Sequence, residues 1–496
     1  MQTQSLSSAL RNQFEYFFEQ QFNIYKNEAD FVAFKLITET TRDLTVRNGK
    51  PDQIYSSYDF GLLIEIMHNG HIGYSSTCEL TPEGIRDAFF KAKKITTLSS
   101  AHALTQFDFS VRPKGQGRYI SQRTKNLDSI TTAEIFDFLK KTSEKLKIND
   151  QIVNASSDAM IVDCNQKYLS SQGSHFEQDF NIIISAFSAT AQDGSETQTR
   201  SLHGGRAICY QIGSEFFNLE KILPQCEQTG LEAIELLTAM NCPTDTVDLI
   251  LAPDQMLLQI HESIGHPLEL DRILGDERNF AGWSFVQPND FGQLQYGSKI
   301  MNVIFDPEQT HEMSSYLFDE VGNKAQKQYL IKEGILQAGL GSLESQYRSK
   351  KVFGHQIQGV ANSRASSWNR PPIDRMANIN LEGGQQTLDN MIASVENGAI
   401  MFANRSWSID DYRRKFQFGC EYGKLIKNGK ITHTIKNPNY HGVTVPFWNS
   451  LKSLSSTQTI ETYGSPYCGK GEPSQIIRVG HSSPYALFNQ VEIFGG

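Results

Sequence analysis

The chain has 496 residues, 39% hydrophobic and 20% charged, which is apolar enough to fill more than one core and excludes a disordered or collagen-like protein. A net charge of −9, from 46 Lys+Arg against 55 Asp+Glu without a dense basic block, excludes nucleic acid as the main partner. Seven dispersed cysteines without a CxxC pair read as reduced thiols of a cytoplasmic protein, and no run of about 18 apolar residues offers a membrane span.

In chain order, Leu6, Leu10, Phe14, Phe17, Phe18 and Phe22 recur at helical spacing and predict a docking helix rather than an export signal. From Asp30 to Cys78 apolar and polar residues alternate around Asn48-Gly49 and Asn69-Gly70, the pattern of strands joined by tight hairpins. His68 and His71 flank the second of these turns and read as turn residues, not as ligands. Thr81-Pro82-Glu83 opens a helix containing Ile85, Ala88, Phe89 and Ala92, and Thr131 with Glu134 has the spacing of a capping box before a second helix. Strands follow at 159–169 and 176–191, the latter read as plain core. A helical run from Leu231 to Met240 ends at Cys242-Pro243-Thr244-Asp245, the predicted domain boundary. The fold class is α+β in two domains: residues 1–245 as a hairpin-rich sheet with helices, and residues 246–496 as a strand-rich domain with Asn428-Gly429 as its clearest hairpin. Gly469-Lys470-Gly471 lacks the rest of a phosphate loop.

Chemistry concentrates where a strand at 247–252 runs into a helix, with Asp254 suited to cap it and His261-Glu262-Ser263-Ile264-Gly265-His266 upon it. With 12 histidines in the chain, an HExxxH match is expected by chance about 0.02 times. Histidines four apart on an α-helix differ by about 40° around the axis and can share a metal, whereas five apart differ by about 140° and diverge. Gly265 permits unusual dihedrals and Pro267 biases His266 out of the α region, so a π-type or unwound turn is predicted that brings the two rings together. Two histidines on Zn²⁺ would let Glu262 take a proton from zinc-bound water, the logic of amide hydrolysis. A third ligand is needed, and Glu269, Asp271 and Cys468 are rivals that chemistry alone leaves open; small neighbours of Cys468 predict an accessible sulfur. The run Arg370 to Arg375 could hold substrate termini, but pinning a loop is the favoured reading.

These residues, with Leu268-Glu269, Phe318-Asp319-Glu320-Val321-Gly322, Arg370-Pro371, Arg375-Met376-Ala377-Asn378 and Cys468-Gly469-Lys470, resemble the TldD side of the TldD/PmbA (TldE) metallopeptidases over most of residues 246–496. The N-terminal half is similar only in its layout. The resemblance implies a C-terminal metallopeptidase domain in which His261, His266 and Cys468 bind zinc and Glu262 is the catalytic base, with Cys468 preferred to Glu269. It implies hydrolysis of short or unfolded peptides, taken up as an added β-strand, inside the cavity of a dimer formed with itself or with a PmbA/TldE-like paralogue. The other six thiols then become buried bystanders. Two positions depart from the family pattern: Ser263 replaces a small apolar residue, and a Gly-Gln expected soon after Cys468-Gly469-Lys470 is absent. The alternative is a non-catalytic peptide-binding or scaffold partner of a peptidase assembly.

Overall fold

A computed structural model describes residues 16–277 and 282–496. Residues 16–25 are helical (α1), with Phe18 and Phe22 buried against Phe34; Leu6, Leu10 and Phe14 lie outside the described residues. Strands β1 (Phe31–Arg47), β2 (Lys50–His68) and β3 (His71–Thr77) form an antiparallel meander. Its turns are the two Asn-Gly pairs, all four residues at positive φ, as the tightest hairpins require. In α2 (Pro82–Ser100) the Thr81 hydroxyl accepts the Gly84 amide, and α3 (Thr132–Leu146) begins with the reciprocal Thr131–Glu134 capping box.

Strands β4 (Gln116–Ile120), β5 (Ile152–Ser170), β6 (His175–Asp193), β7 (Glu196–Ser201) and β8 (Ile208–Gln211) complete an eight-stranded sheet in the order β3-β2-β1-β5-β6-β4, with β7 and β8 also on β6. Helix α4 (Leu219–Thr238) starts and stops earlier than the sequence run predicts. Ala239 turns to extended backbone, and β9 (Met240–Asn241) pairs in parallel with Ile435 and Lys436, so Met240 belongs to a sheet.

That second sheet also has eight strands. Strand β10 (Asp245–Leu251) lies between Asn397–Ile409 and Ala486–Gly495; beyond the latter come Pro438–Val443 and Lys415–Lys427, and the last pairs back with Asn397–Ile409 to close a five-strand ring. The Asn428-Gly429 hairpin joins two of its strands as predicted. Leu249, Leu251, Phe416, Phe418, Tyr440 and Phe488 share one core with Met256 and Ile260 of the helix that follows β10.

Charged side chains tie the first sheet to the later half of the chain. Lys35 pairs with Glu320, Arg112 with both Glu65 and Glu344, and Glu39 with Arg478 at 2.9 Å. Between that sheet and the two-stranded ribbon Glu461–Lys470/Gln475–Ser483 lies a cavity of about 360 Å³ lined by Ile37, Met160, Phe180, Ile182, Arg364 and Tyr467, among others. Strand β6 is therefore not plain core: one of its faces walls this cavity.

Candidate metal centre

Helix α5 (Pro253–Ile260) follows β10 directly, with Ala252 as its cap and Pro253 in its first turn. Asp254, suited by sequence to be the cap, sits inside the helix. Its carboxylate accepts the Ala403 amide at 3.0 Å and faces His203, so tertiary pairing has taken the group that capping would use. Every residue of α5 is buried, as expected of a helix covered on all sides. Its glutamines are linked along an i, i+4 stripe: Gln255 donates to Tyr440, Tyr440 to Gln259, and Gln259 to the Ser263 hydroxyl at 2.9 Å. Ser263 also accepts from the Trp448 indole at 2.9 Å, which gives a physical reason for a hydroxyl at this position.

Past Ile260 the helix widens. His261–Gly265 forms a π turn, closed by the His266 amide donating to the His261 carbonyl, and a 3₁₀ turn His266–Leu268 follows. This is the predicted distortion, and it sets the two rings perpendicular with centroids 4.9 Å apart. Its local cause differs from the expectation. Gly265 (φ −57°) and His266 (φ −61°, ψ −42°) both keep right-handed helical dihedrals, so neither glycine freedom nor the proline bias is used. Gly265 is instead needed for room, because a Cβ there would overlap the Met376 sulfur. Gly265→Ala is expected to destabilise the fold by about 1–3 kcal/mol, the range for overpacking, and to disturb His266; thermal unfolding and metal content together would check both effects.

The third donor arrives on the ribbon. Cys468 pairs with Ile477 just after a bulge that begins at Ser465, and a bulge re-aims the side chains beside it. The sulfur points inward and Cys468 is only 3% exposed, contrary to the accessible thiol expected from its small neighbours. It lies 3.7 Å from His266 Nε2, and one donor atom from each of His261, His266 and Cys468 falls within 4.8 Å of the others. Donors on one tetrahedral zinc stand about 3.3–3.6 Å apart, so the set fits that ion with small adjustments.

The groups behind these donors are aligned too. The Ile379 carbonyl can only accept, so His481 Nδ1 donates to it at 2.9 Å, and His481 Nε2 in turn accepts from His261 Nδ1 at 2.9 Å. His266 Nδ1 donates to Glu269 Oε2 at 3.0 Å. Both rings are thereby locked with Nε2 as the free lone pair, and burial holds both below the ordinary histidine pKa, hence neutral and able to ligate. Burial alone would push the Cys468 thiol up, but its charged surroundings, the Arg375 guanidinium first among them, outweigh it and bring it below its usual range, toward thiolate. Arg375 donates to the Cys468 carbonyl at 2.6 Å and to its sulfur at 3.1 Å.

The rivals lie behind the cluster. Glu269 is fully buried among His266, Arg272 and Lys470, while the Asp271 carboxylate accepts from Lys470 Nζ at 2.6 and 2.7 Å. Glu262 is buried beside His261, its Oε2 bonded to Arg413 at 2.8 Å. Sequence reasoning missed His481 and Arg413, and it read Arg375 as part of a loop-pinning run. Of the remaining thiols, Cys78 is exposed and Cys164 half-buried, so not all six are buried bystanders.

A family model described as the PmbA/TldA metallopeptidase C-terminal domain matches residues 244–495, and one for domain 1 of the same group matches residues 36–96. The chain belongs to the PmbA/TldD family. A Methanothermobacter thermautotrophicus protein named metalloprotease is 24% identical over 473 residues, 95% of this chain and 96% of its own length. A Saccharolobus solfataricus protein named zinc metalloprotease TldD homolog is 22% identical over 454 residues, 90% of this chain and 92% of its own. The crystal structure of TldE from Thermococcus kodakarensis shares the fold, with a TM-score of 0.75 at 14% identity over 97% of this chain and 100% of that one. The family and the names of these relatives support a general metallopeptidase function, and the names together with the three-donor cluster suggest a metal. Among the described residues no helix is long and apolar enough to cross a membrane.

Proposed function

We propose that this protein is a zinc-dependent peptidase in which His261, His266 and Cys468 hold the metal, Glu262 is the base, and short or unfolded peptides are the substrate. The observation that carries the reading is the three-donor cluster, with each donor oriented by its own partner, beside a buried carboxylate. When bound, zinc supplies an acidified water, of pKa about 7, and a Lewis acid for the scissile carbonyl. Glu262 accepts the proton of the attacking water at Oε1, since Oε2 is engaged by Arg413, and returns it to the leaving amine nitrogen. His481 and Glu269 keep the two imidazoles aimed while this happens, and burial keeps them neutral.

In this reading the chain divides near residue 245, with residues 1–245 serving assembly and enclosure and residues 246–496 the chemistry. Peptides are enclosed in a dimer, with a second copy or a PmbA/TldE-like paralogue, and the likeness of fold to TldE supports such a pairing. Seven free thiols fit a reducing, cytoplasmic setting.

Protein purified without chelator should carry about one zinc per chain, and Glu262→Gln should lower cleavage of an unfolded peptide pool by about 10²–10⁴-fold with zinc retained. Zinc-loaded Glu262→Gln protein that cleaves like wild type would sink the assignment. Protein prepared this way that holds no metal would instead support the non-catalytic scaffold.

A further inference from the structure

Asn397–Ile409 is the parallel neighbour of β10, and the turn that follows it leads back over the motif that β10 feeds. In that turn Arg413 has φ 60°, the left-handed region that a bulky side chain enters only under constraint. The conformation is clamped on both sides. Its amide donates to the Asp410 carbonyl and its carbonyl accepts the Thr444 hydroxyl at 2.9 Å, while the Asp410 carboxylate accepts the amides of Arg414 and Lys415. A glycine or asparagine would adopt this backbone with less strain, so the reason for an arginine must lie in its side chain.

That side chain turns inward. Arg413 is 9% exposed, and its Nη1 donates to Glu262 Oε2 at 2.8 Å. Among the described residues, Glu262 Oε1 has no hydrogen-bond partner. A glutamate carboxylate turns freely about its last bond unless something holds it, because that torsion has a broad profile. Binding one oxygen fixes the carboxylate plane and leaves the other as the single site for a proton.

We infer that Arg413 is a positioning residue of the peptidase site: it grips Glu262 by Oε2 so that Oε1 is presented for proton transfer. This rests on the reading of Glu262 as the base. A guanidinium suits the task better than an ammonium, since its planar, delocalised charge and directional donors orient a carboxylate that a point charge would only neutralise.

The test uses full-length, zinc-loaded protein carrying Arg413→Ala, Arg413→Lys or Glu262→Gln, with an unfolded peptide pool as substrate. Arg413→Ala should keep the wild-type zinc content and lose about 100-fold in kcat with KM little changed, and Arg413→Lys should recover only part of that loss. Millimolar guanidinium should restore some of the rate to Arg413→Ala and none to Glu262→Gln. A second readout needs no turnover: in cobalt-substituted protein, the visible band altered by Glu262→Gln should be altered in the same direction by Arg413→Ala and recover with guanidinium. Unchanged kcat and an unchanged cobalt band in zinc-replete Arg413→Ala would overturn the inference, as would a loss of rate that tracks loss of zinc and is not rescued. If Arg413→Ala does not fold, Arg413→Lys decides by the same two readouts. Wild-type protein that cleaves nothing counts against the peptidase reading, while the cobalt comparison still decides whether Arg413 orients Glu262.

Discussion

Cys468→Ser is expected to strip zinc from the protein and to abolish peptide cleavage with it. A thiolate is the one anionic donor in the cluster, and a serine hydroxyl would remain protonated and bind zinc poorly. The affinity loss should exceed the about 10–100-fold that follows removal of an outer partner of a ligand. The surrounding backbone should survive the change. Lys470, two residues on, is held by the Asp271 carboxylate and by the Asp374 carbonyl, and Arg375 still donates to the carbonyl of residue 468 and to that of Gln475. The variant should therefore unfold like the wild type when both are in EDTA and differ from it only when zinc is added, because the metal's stabilisation scales with its affinity. Metal analysis after dialysis and paired melting curves would measure both quantities. Full zinc occupancy in Cys468→Ser would move the third ligand elsewhere, with Glu269 the first candidate.

What could be read from the sequence was whatever local sterics decide. The Asn-Gly turns, the Thr81 cap and the Thr131–Glu134 box need only their neighbours in the chain, and each stands where the sequence puts it. The five-residue spacing of His261 and His266 also demanded a departure from the α-helix, because no regular turn could bring the rings together. The reason Gly265 is a glycine could not be read, since it depends on the Met376 sulfur brought in from a distant loop. Asp254 shows the same limit: a good capping side chain was diverted to the Ala403 amide, on a strand about 150 residues further along the chain. His481, Arg375 and Arg413 act singly, each from its own segment, and a lone residue has no spacing to betray it. Only the φ of Arg413 marks it, and that is a property of the folded chain.

Glu269→Gln, unlike Cys468→Ser, should lower stability even without metal. Glu269 is 0% exposed, and its Oε2 accepts from His266 Nδ1 at 3.0 Å and from Arg272 Nε at 2.6 Å, with Lys470 Nζ 3.5 Å away. Burial by itself would raise its pKa, but Lys470, Arg272 and His266 outweigh that and hold the carboxyl well below the usual range, so it is an anion inside the fold. Arg375, also fully buried, lies 4.0 Å from Oε1. An amide of the same shape removes the negative charge these cations share, and breaking a buried pair from one side costs about 3–5 kcal/mol. The loss should appear in EDTA, where ligation cannot contribute, as a lower denaturant midpoint with an unchanged slope. Zinc affinity should fall as well, by about 10–100-fold, since His266 would lose the carboxylate that orients it. Glu269→Gln protein that matches the wild type in EDTA but binds no zinc would make Glu269 a direct ligand and exchange its role with that of Cys468.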